Sequence, residues 1–176
     1  QSYFFKSKKQ RPYILDCGSN IGLSVVFFKH LYPGSRIIAF EPDPKILRFL
    51  KVNLTQNRCD DVEIIPKAVW EKNGNLFFAS DGADGGKVVS TENGKRVEGT
   101  HLAPFIDEEV DLLKLDVEGN ELRILHSCKE KLFLVRNLFI EYHSFKDNPQ
   151  ELSQILCILE QEGFRYRLDS ASPLRR

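Results

Sequence analysis

A glycine-containing loop follows the first apolar strand of the sequence, and its residue types suit a ligand site. Its polar and glycine members are Asp16, Gly18, Ser19, Asn20 and Gly22. Ligands of open parallel sheets bind beyond the carboxyl ends of the strands, where glycines let the backbone approach them closely. The G-x-x-x-G spacing does not fit the G-x-G-x-x-G dinucleotide fingerprint, and an acidic strand end would repel a pyrophosphate. Asp16 instead suits a ligand that carries an ammonium group.

Glu41 at the end of the second predicted strand supplies a second contact for the same ligand. It comes nineteen residues after Gly22 and is followed directly by Pro42. A carboxylate at this position can accept hydrogen bonds from both ribose hydroxyls. Either signal alone is typical of an ordinary turn or a solvated side chain, but together they indicate a nucleoside site. A nucleoside that bears an ammonium group predicts S-adenosylmethionine as the cofactor.

Two carboxylates and an imidazole at later strand ends are the candidates for catalysis. Asp116 and Glu118 end the apolar segment 110–117 and share one strand face with Lys114, because side chains alternate with period two. His143 ends the neighbouring predicted strand. This grouping predicts transfer of the cofactor's methyl group to an acceptor hydroxyl. His143 would be the general base, and the carboxylates would shape the site. An imidazole pKa of about 6.5 would suit that role at neutral pH.

Other interpretations of these residues remain open. Glu118 could stabilise the N-terminus of the following helix, and His143 could be a hydrogen-bonded histidine without a catalytic role. Lys114 could form a structural ion pair with Asp116 or Glu141. Asp116, Glu118 and His143 could together hold a divalent cation, although we predict a site without metal.

Strand-like and helix-like segments alternate along the chain and would position these residues. Apolar strands are predicted at residues 13–17, 36–41, 62–65, 110–117, 138–143 and 164–168. Amphipathic helices are predicted between them, one of them starting at the N-cap Asp43 with Pro44 in its first turn. This order predicts an α/β fold, a Rossmann-like three-layer αβα sandwich with a mostly parallel sheet.

The segment 68–100 departs from this alternation. Residues 68–70 and 75–79 flank a turn that contains Gly74, which predicts a hairpin. Ser80 to Thr100 holds five of the eleven glycines, and its length predicts a mobile lid that orders over the acceptor.

Composition predicts one soluble domain over residues 1–176 with its core at about 13–168. Hydrophobic residues make up 41% of the chain and charged residues 28%. The 25 basic and 25 acidic residues balance, so we expect a small-molecule acceptor as partner, with no nucleic acid and no membrane. Apolar runs are too short to span a bilayer. The four scattered cysteines favour reduced thiols and a cytoplasmic location.

Five segments resemble the FkbM family of S-adenosylmethionine-dependent methyltransferases. They are Leu15 to Gly22, Ala39 to Pro42, Lys67 to Val69, Val110 to Glu121 and Ile140 to His143. The resemblance implies methyl transfer to oxygen in a sugar, polyketide or related small metabolite. It also implies cofactor roles for Asp16, Gly18, Asn20, Gly22, Glu41 and Ala68. The position of Asp116 at its strand end predicts that it lies beside the methyl group. The family fold implies an antiparallel last strand, and nothing after Leu168 supplies one.

Two other function classes stay open on sequence grounds. An NAD-dependent oxidoreductase on the same sheet is favoured by Glu41 and opposed by Asp16 and the missing third glycine. A methyltransferase fold that serves only as a non-catalytic binding module is the second alternative. The oligomeric state and the identity of the acceptor leave no readable pattern.

Overall fold

A computed structural model describes residues 5–80, 86–89, 94–146 and 148–169 of the chain. In chain order the strands are β1 (Tyr13–Cys17), β2 (Arg36–Phe40), β3 (Glu63–Ile65), β4 (Ala68–Trp70), β5 (Gly74–Ser80), β6 (Gly86–Val89), β7 (Lys95–His101), β8 (Leu112–Leu115) and β9 (Leu138–Ile140). The α-helices are α1 (Leu23–Leu31), α2 (Pro44–Gln56), α3 (Glu121–Cys128) and α4 (Leu152–Gln161). Short 3₁₀ helices cover Ala103–Phe105 and Lys129–Leu134.

The main sheet is parallel and has the strand order β3-β2-β1-β8-β9. The winding direction reverses at β1, whose neighbours are β2 on one side and β8 on the other. In the register between β1 and β8, Cys17 lies opposite Leu115. The loops that follow these two strands therefore start side by side at the switch point, where open α/β sheets bind ligands. The predicted Rossmann-like sheet is confirmed.

Alternating side chains of β1 and β8 build apolar cores on both faces of this sheet. Leu15 and Leu113 pack in the cluster that includes α3 and α4. Ile14 and Leu112 pack in the cluster that includes α1 and α2. The period of two in the strands therefore produces the three layers. Asp16 lies two residues after Ile14 on β1, so its side chain points to the same face of the sheet, toward α1.

A second sheet has the strand order β4-β7-β5-β6, and it overturns the predicted hairpin between residues 68–70 and 75–79. β4 pairs in parallel with β7, which lies between β4 and β5, and β5 pairs antiparallel with both β7 and β6. Gly99 of β7 allows this packing, since a Cβ there would lie 2.7 Å from Cδ1 of Leu76. β7, which is distant in sequence, therefore pairs with β4 in place of the neighbouring strand β5.

The predicted lid at Ser80 to Thr100 is wrong for the described part of that segment. β6 and most of β7 fall within it as regular strands. Glycine density suggested a loop, but Gly99 serves close packing between strands instead. Residues 81–85 and 90–93 of the expected lid lie outside the described residues.

The end of the chain differs from the expected strand at 164–168. Residues 164–169 follow α4 without regular secondary structure. The described part of the main sheet accordingly contains only parallel pairs, and the expected antiparallel last strand is not among the described residues. Within the same residues, none of the helices combines the length and apolar character that crossing a membrane requires.

Candidate active site

The glycine loop, residues 16–22, is shaped by backbone conformations that side chains would prevent. Gly18 has φ +86°, and a Cβ there would lie 1.9 Å from the carbonyl oxygen of Asp116. Gly22 has φ +89°, and its Cβ would lie 2.5 Å from Cδ1 of Leu50. Asn20 also has a positive φ of 49°. The loop therefore turns tightly over the sheet end and lies against the loop that follows β8.

Glu41 is tied to this loop through its carboxylate. Its Oε2 accepts a hydrogen bond from the backbone N–H of Asn20 at 3.0 Å, and its Oε1 accepts one from Asp43 N–H at 2.8 Å. The residue is buried, with 6% of its surface exposed. Burial raises the pKa of Glu41 to about 7, against the lowering effect of the two backbone hydrogen bonds. These bonds fix the carboxylate beside the glycine loop.

The remaining predicted cofactor residues lie around Glu41 and the glycine loop. Ser19 is buried and donates from its hydroxyl to the carbonyl oxygen of Asp16 at 2.9 Å. Pro42 lies between Glu41 and the α2 N-cap. Ala68 is the buried first residue of β4. The Glu41 N–H donates to Ile65, which places the turn leading to Ala68 beside the end of β2.

Asp16 occupies a different environment from the one expected. Its side chain is fully buried, accepts a hydrogen bond from the Ser24 hydroxyl, and lies 3.3 Å from the ammonium of Lys114. The ammonium group beside Asp16 therefore belongs to the protein. Lys114 also donates to the Gly18 carbonyl at 2.9 Å and to Asp116 at 3.1 Å. Lys114 thereby connects the glycine loop to β8, a role that the sequence suggested only as an ion pair.

Three predicted site residues lie close together, as we expected from their position at one edge of the sheet. We call Asp116, Glu118 and His143 the carboxylate cluster. His143 Nε2 lies 3.9 Å from Asp116 Oδ1 and 3.5 Å from Glu118 Oε2. One ligand atom from each of the three residues lies within 4.8 Å of the others. Glu118 and Gly119 both have positive φ, 54° and 92°. This sharp turn after β8 brings Glu118 next to His143, three residues beyond the end of β9.

Glu121 is a functional neighbour that the sequence analysis missed. It is 1% exposed, and its Oε1 accepts hydrogen bonds from His143 Nδ1 and from the Gly119 N–H, each at 3.0 Å. Glu121 lies in the first turn of α3, whose N-cap is Asn120. The sequence signal that could have identified Glu121 is its position as an acidic residue in the first turn of a helix beside the site.

The expected imidazole pKa near 6.5 is wrong for His143. The hydrogen bond to Glu121 raises the pKa of His143 to about 9, with further raising by the charges of Glu118 and Asp116 against the lowering effect of burial. At neutral pH the ring is therefore protonated when the cluster holds no other cation. The hydrogen bond between Glu121 and His143, which shifts this pKa, forms only in the folded chain.

A cavity of about 760 Å³ opens beside this cluster. Its walls come from α3, from the loop after β9, from the start of α4 and from the residues after β4. They include Glu71, Asn120, Arg123, Tyr142, His143 and Gln154. Arg123 pairs with Glu71 and lies over the ring of Trp70, 5.2 Å from its centroid. The wall is mostly polar, which suits an acceptor rich in hydroxyl groups.

Comparisons with known proteins agree with this fold. The methyltransferase FkbM domain family matches residues 16–166. The chain is 29% identical to methyltransferase sdnD of Sordaria araneosa, over 96% of this chain and 80% of that relative. It is 26% identical to 2-O-methyltransferase NoeI of Sinorhizobium fredii, over 77% of this chain and 65% of that relative.

The same family appears among solved structures. The crystal structure of an FkbM methyltransferase from Methylobacillus flagellatus superposes with a TM-score of 0.66, at 21% identity, over 90% of this chain and 40% of that one. Because this identity is low, the likeness supports the fold alone. The family match covers most of the sequence and includes the glycine loop and the carboxylate cluster. The chain therefore belongs to the FkbM family of S-adenosylmethionine-dependent methyltransferases.

Proposed function

We propose that this protein transfers the methyl group of S-adenosylmethionine to a hydroxyl oxygen of a small polar metabolite such as a sugar. The observation that carries the proposal is the contact between the glycine loop and the segment that begins with Asp116. A Cβ on Gly18 would collide with the Asp116 carbonyl, so the loop that would hold the donor directly adjoins the carboxylates that would meet the acceptor. The name of NoeI as a 2-O-methyltransferase supports oxygen as the accepting atom.

The donor fits the residues at the ends of β1 and β2. Tight glycine turns at Gly18 and Gly22 leave backbone N–H and C=O groups, rather than side chains, next to the ligand. Glu41 would accept hydrogen bonds from the ribose hydroxyls through the lone pairs that Asn20 and Asp43 do not use. Asp16 would act indirectly, because its buried carboxylate holds Lys114 against the Gly18 carbonyl.

The acceptor would lie in the cavity beside the carboxylate cluster. The bound donor supplies an electrophilic methyl group on its sulfonium. The protein would align the acceptor oxygen in line with the carbon–sulfur bond, and a carbon–oxygen bond would form as that bond breaks. The acceptor proton would pass to the carboxylate of Asp116 or Glu118, since the His143 ring already carries a proton. His143 would hold both carboxylates in place.

Titration calorimetry of the purified chain tests the donor assignment. We expect S-adenosylmethionine and its demethylated product to bind, and NADH not to bind. Binding of NADH in place of S-adenosylmethionine would restore the oxidoreductase alternative. When the donor affinity of a Glu41 variant is measured, Glu63→Gln is the control, because it removes a carboxylate at an exposed position of β3.

A screen of hydroxyl-bearing acceptors then separates an enzyme from a binding module. Methyl transfer from labelled donor to a sugar or related metabolite would support the proposal. Tight donor binding with no transfer to any acceptor class, in protein whose cavity residues are intact, would favour the non-catalytic alternative.

A further inference from the structure

The carboxylate cluster leaves a gap between its polar atoms. The distances from His143 Nε2 to the oxygens of Asp116 and Glu118, 3.9 and 3.5 Å, exceed the usual length of an N–H···O hydrogen bond. His143 Nδ1, by contrast, makes a normal hydrogen bond of 3.0 Å to Glu121. The ring is therefore held firmly at one nitrogen, while the other faces two carboxylates across a space.

The size of this gap suits a metal ion. Around a six-coordinate ion with bonds of about 2.1 Å, adjacent donor atoms lie about 3 Å apart and opposite atoms about 4.2 Å apart. The three atoms of the cluster lie within 4.8 Å of one another, so a small inward movement would place them at those distances. Asp116 contributes its Oδ1, because its Oδ2 is held by Lys114 at 3.1 Å.

The surroundings of His143 match those of a metal-binding histidine. Such a histidine usually donates its second ring N–H to a carboxylate, which fixes the ring and its tautomer. Glu121 does this from a buried position at the start of α3. The carboxylates of Asp116, Glu118 and Glu121 surround the His143 ring. Lys114 is shared between Asp116 and the buried Asp16. A divalent cation would balance the remaining charge.

We propose that Asp116, Glu118 and His143 bind one divalent cation, and that this cation orients the acceptor hydroxyl beside the donor methyl group. Two carboxylates and one imidazole suit a Mn²⁺-type ion, which accepts oxygen ligands together with a nitrogen ligand. This inference rests on the proposed function, because the hydroxyl that the ion orients is the methyl acceptor. It replaces our sequence-based prediction of a site without metal.

Mn²⁺ binding to the purified, chelator-treated chain tests the site without any turnover. Electron paramagnetic resonance would count free Mn²⁺, and line broadening in NMR spectra would show which histidine ring lies near it. We expect one Mn²⁺ per chain, with selective broadening of the His143 ring. No binding at millimolar Mn²⁺, or equal broadening of the exposed His30 ring, would overturn the proposal.

Conservative variants link that binding to the cluster. Glu118→Gln and His143→Gln keep similar side-chain volumes and should each weaken Mn²⁺ binding by about 10-fold or more. His30→Gln, in the last turn of α1, is the matched control and should leave Mn²⁺ affinity unchanged. Circular dichroism of each variant would verify folding. Unchanged affinity in folded Glu118→Gln and His143→Gln proteins would overturn the site.

Donor binding separates failure of this inference from failure of the proposed function. If S-adenosylmethionine binds and is used fully in the presence of chelator, the methyltransferase function stands and the role of the cation in orienting the acceptor is refuted. If S-adenosylmethionine does not bind, the proposed function fails, whatever Mn²⁺ does. Activity that is lost with chelator and restored by Mn²⁺ supports both.

Discussion

The glycine loop and the carboxylate cluster lie at the same sheet edge, yet they are built in different ways. The glycine loop is continuous in sequence, and its shape depends on positive φ values at Gly18, Asn20 and Gly22. The carboxylate cluster joins residues from the ends of β8 and β9, and His143 contacts its partners across more than twenty positions. Local backbone rules therefore govern the first region, and long-range packing governs the second.

This difference determines which kind of substitution harms each region. A side chain added to the glycine loop should disturb binding and folding together, because backbone atoms are the obstacle. Removal of the Glu118 or His143 side chain from the carboxylate cluster should disturb turnover while leaving the fold and the donor loop intact. Asp116 differs, because Lys114 links it to the Gly18 carbonyl. The predictions below test that separation.

Removing the imidazole should give the largest effect on activity. We expect His143→Ala to lower kcat by roughly 100-fold, because the cluster loses the ring that lies between Glu121 and the two carboxylates at the acceptor. Donor affinity, measured by calorimetry, should change little. A variant with full kcat would contradict the role of His143, and a large loss of donor affinity would contradict the separation of the two regions.

Gly18→Ala should be far more damaging than Gly163→Ala, although both glycines have positive φ, +86° and +79°. At Gly18 the new Cβ would meet the Asp116 carbonyl at 1.9 Å, whereas at Gly163 no atom lies within 4 Å. Backbone strain alone predicts a loss of about 1 kcal/mol at Gly163. The added collision predicts a loss of about 3 kcal/mol or more at Gly18.

Urea unfolding of the two alanine variants checks this comparison, since both share the conformational penalty. Gly18→Ala should also abolish donor binding, while Gly163→Ala should preserve it. Equal losses of stability would show that the contact with the Asp116 carbonyl does not shape the glycine loop.

Stability should decrease with rising pH because of Glu41. Its pKa is about 7 in the folded protein, compared with an ordinary value of 4.5, so the folded state binds this proton more tightly. The contribution is fully present below about pH 4.5 and is lost as pH rises through about 7, up to about 3 kcal/mol. Urea unfolding between about pH 4.5 and 6.5, below the range in which His143 contributes a similar slope, should show this slope in the native chain and not in Glu41→Gln.

Donor affinity should respond to Glu41 in the opposite direction. Only the ionised carboxylate accepts hydrogen bonds from both ribose hydroxyls, so S-adenosylmethionine should bind more tightly as pH rises from 6 to 8. Glu41→Ala should weaken binding by about 1–3 kcal/mol and flatten this pH dependence. Calorimetry in matched buffers measures both quantities, and an unchanged pH profile in Glu41→Ala would exclude the ribose contact.

Several structural features could be predicted from the sequence because they depend on residues that are close together in it. The N-cap at Asp43 is an example, since its side chain accepts a hydrogen bond from Lys45 N–H at 2.8 Å and Pro44 starts α2. The parallel main sheet followed from alternating strands and helices. The juxtaposition of Asp116 and His143 followed from the common edge at which parallel strands end.

The errors share one cause, which is that pairing partners and electrostatic neighbours lie far apart in sequence. β7 separates β4 from β5 because its own pairing satisfies both strands, and no local signal at the Gly74 turn reveals this. Asp16 was expected to face a ligand, but Lys114 reaches it from β8. His143 was assigned an ordinary pKa because Glu121 was not recognised as its partner.

By itself, the sequence determined the fold family, the glycine loop and the chemical types available at the sheet edge. These depend on period-two and helical patterns, glycine conformations and strand ends, which short segments specify. Tertiary structure alone decided the charge state of His143, the burial of Asp16 and the gap between the cluster atoms. Those properties depend on distances and desolvation among residues from β1, β8, α3 and the end of β9, and only the folded chain sets them.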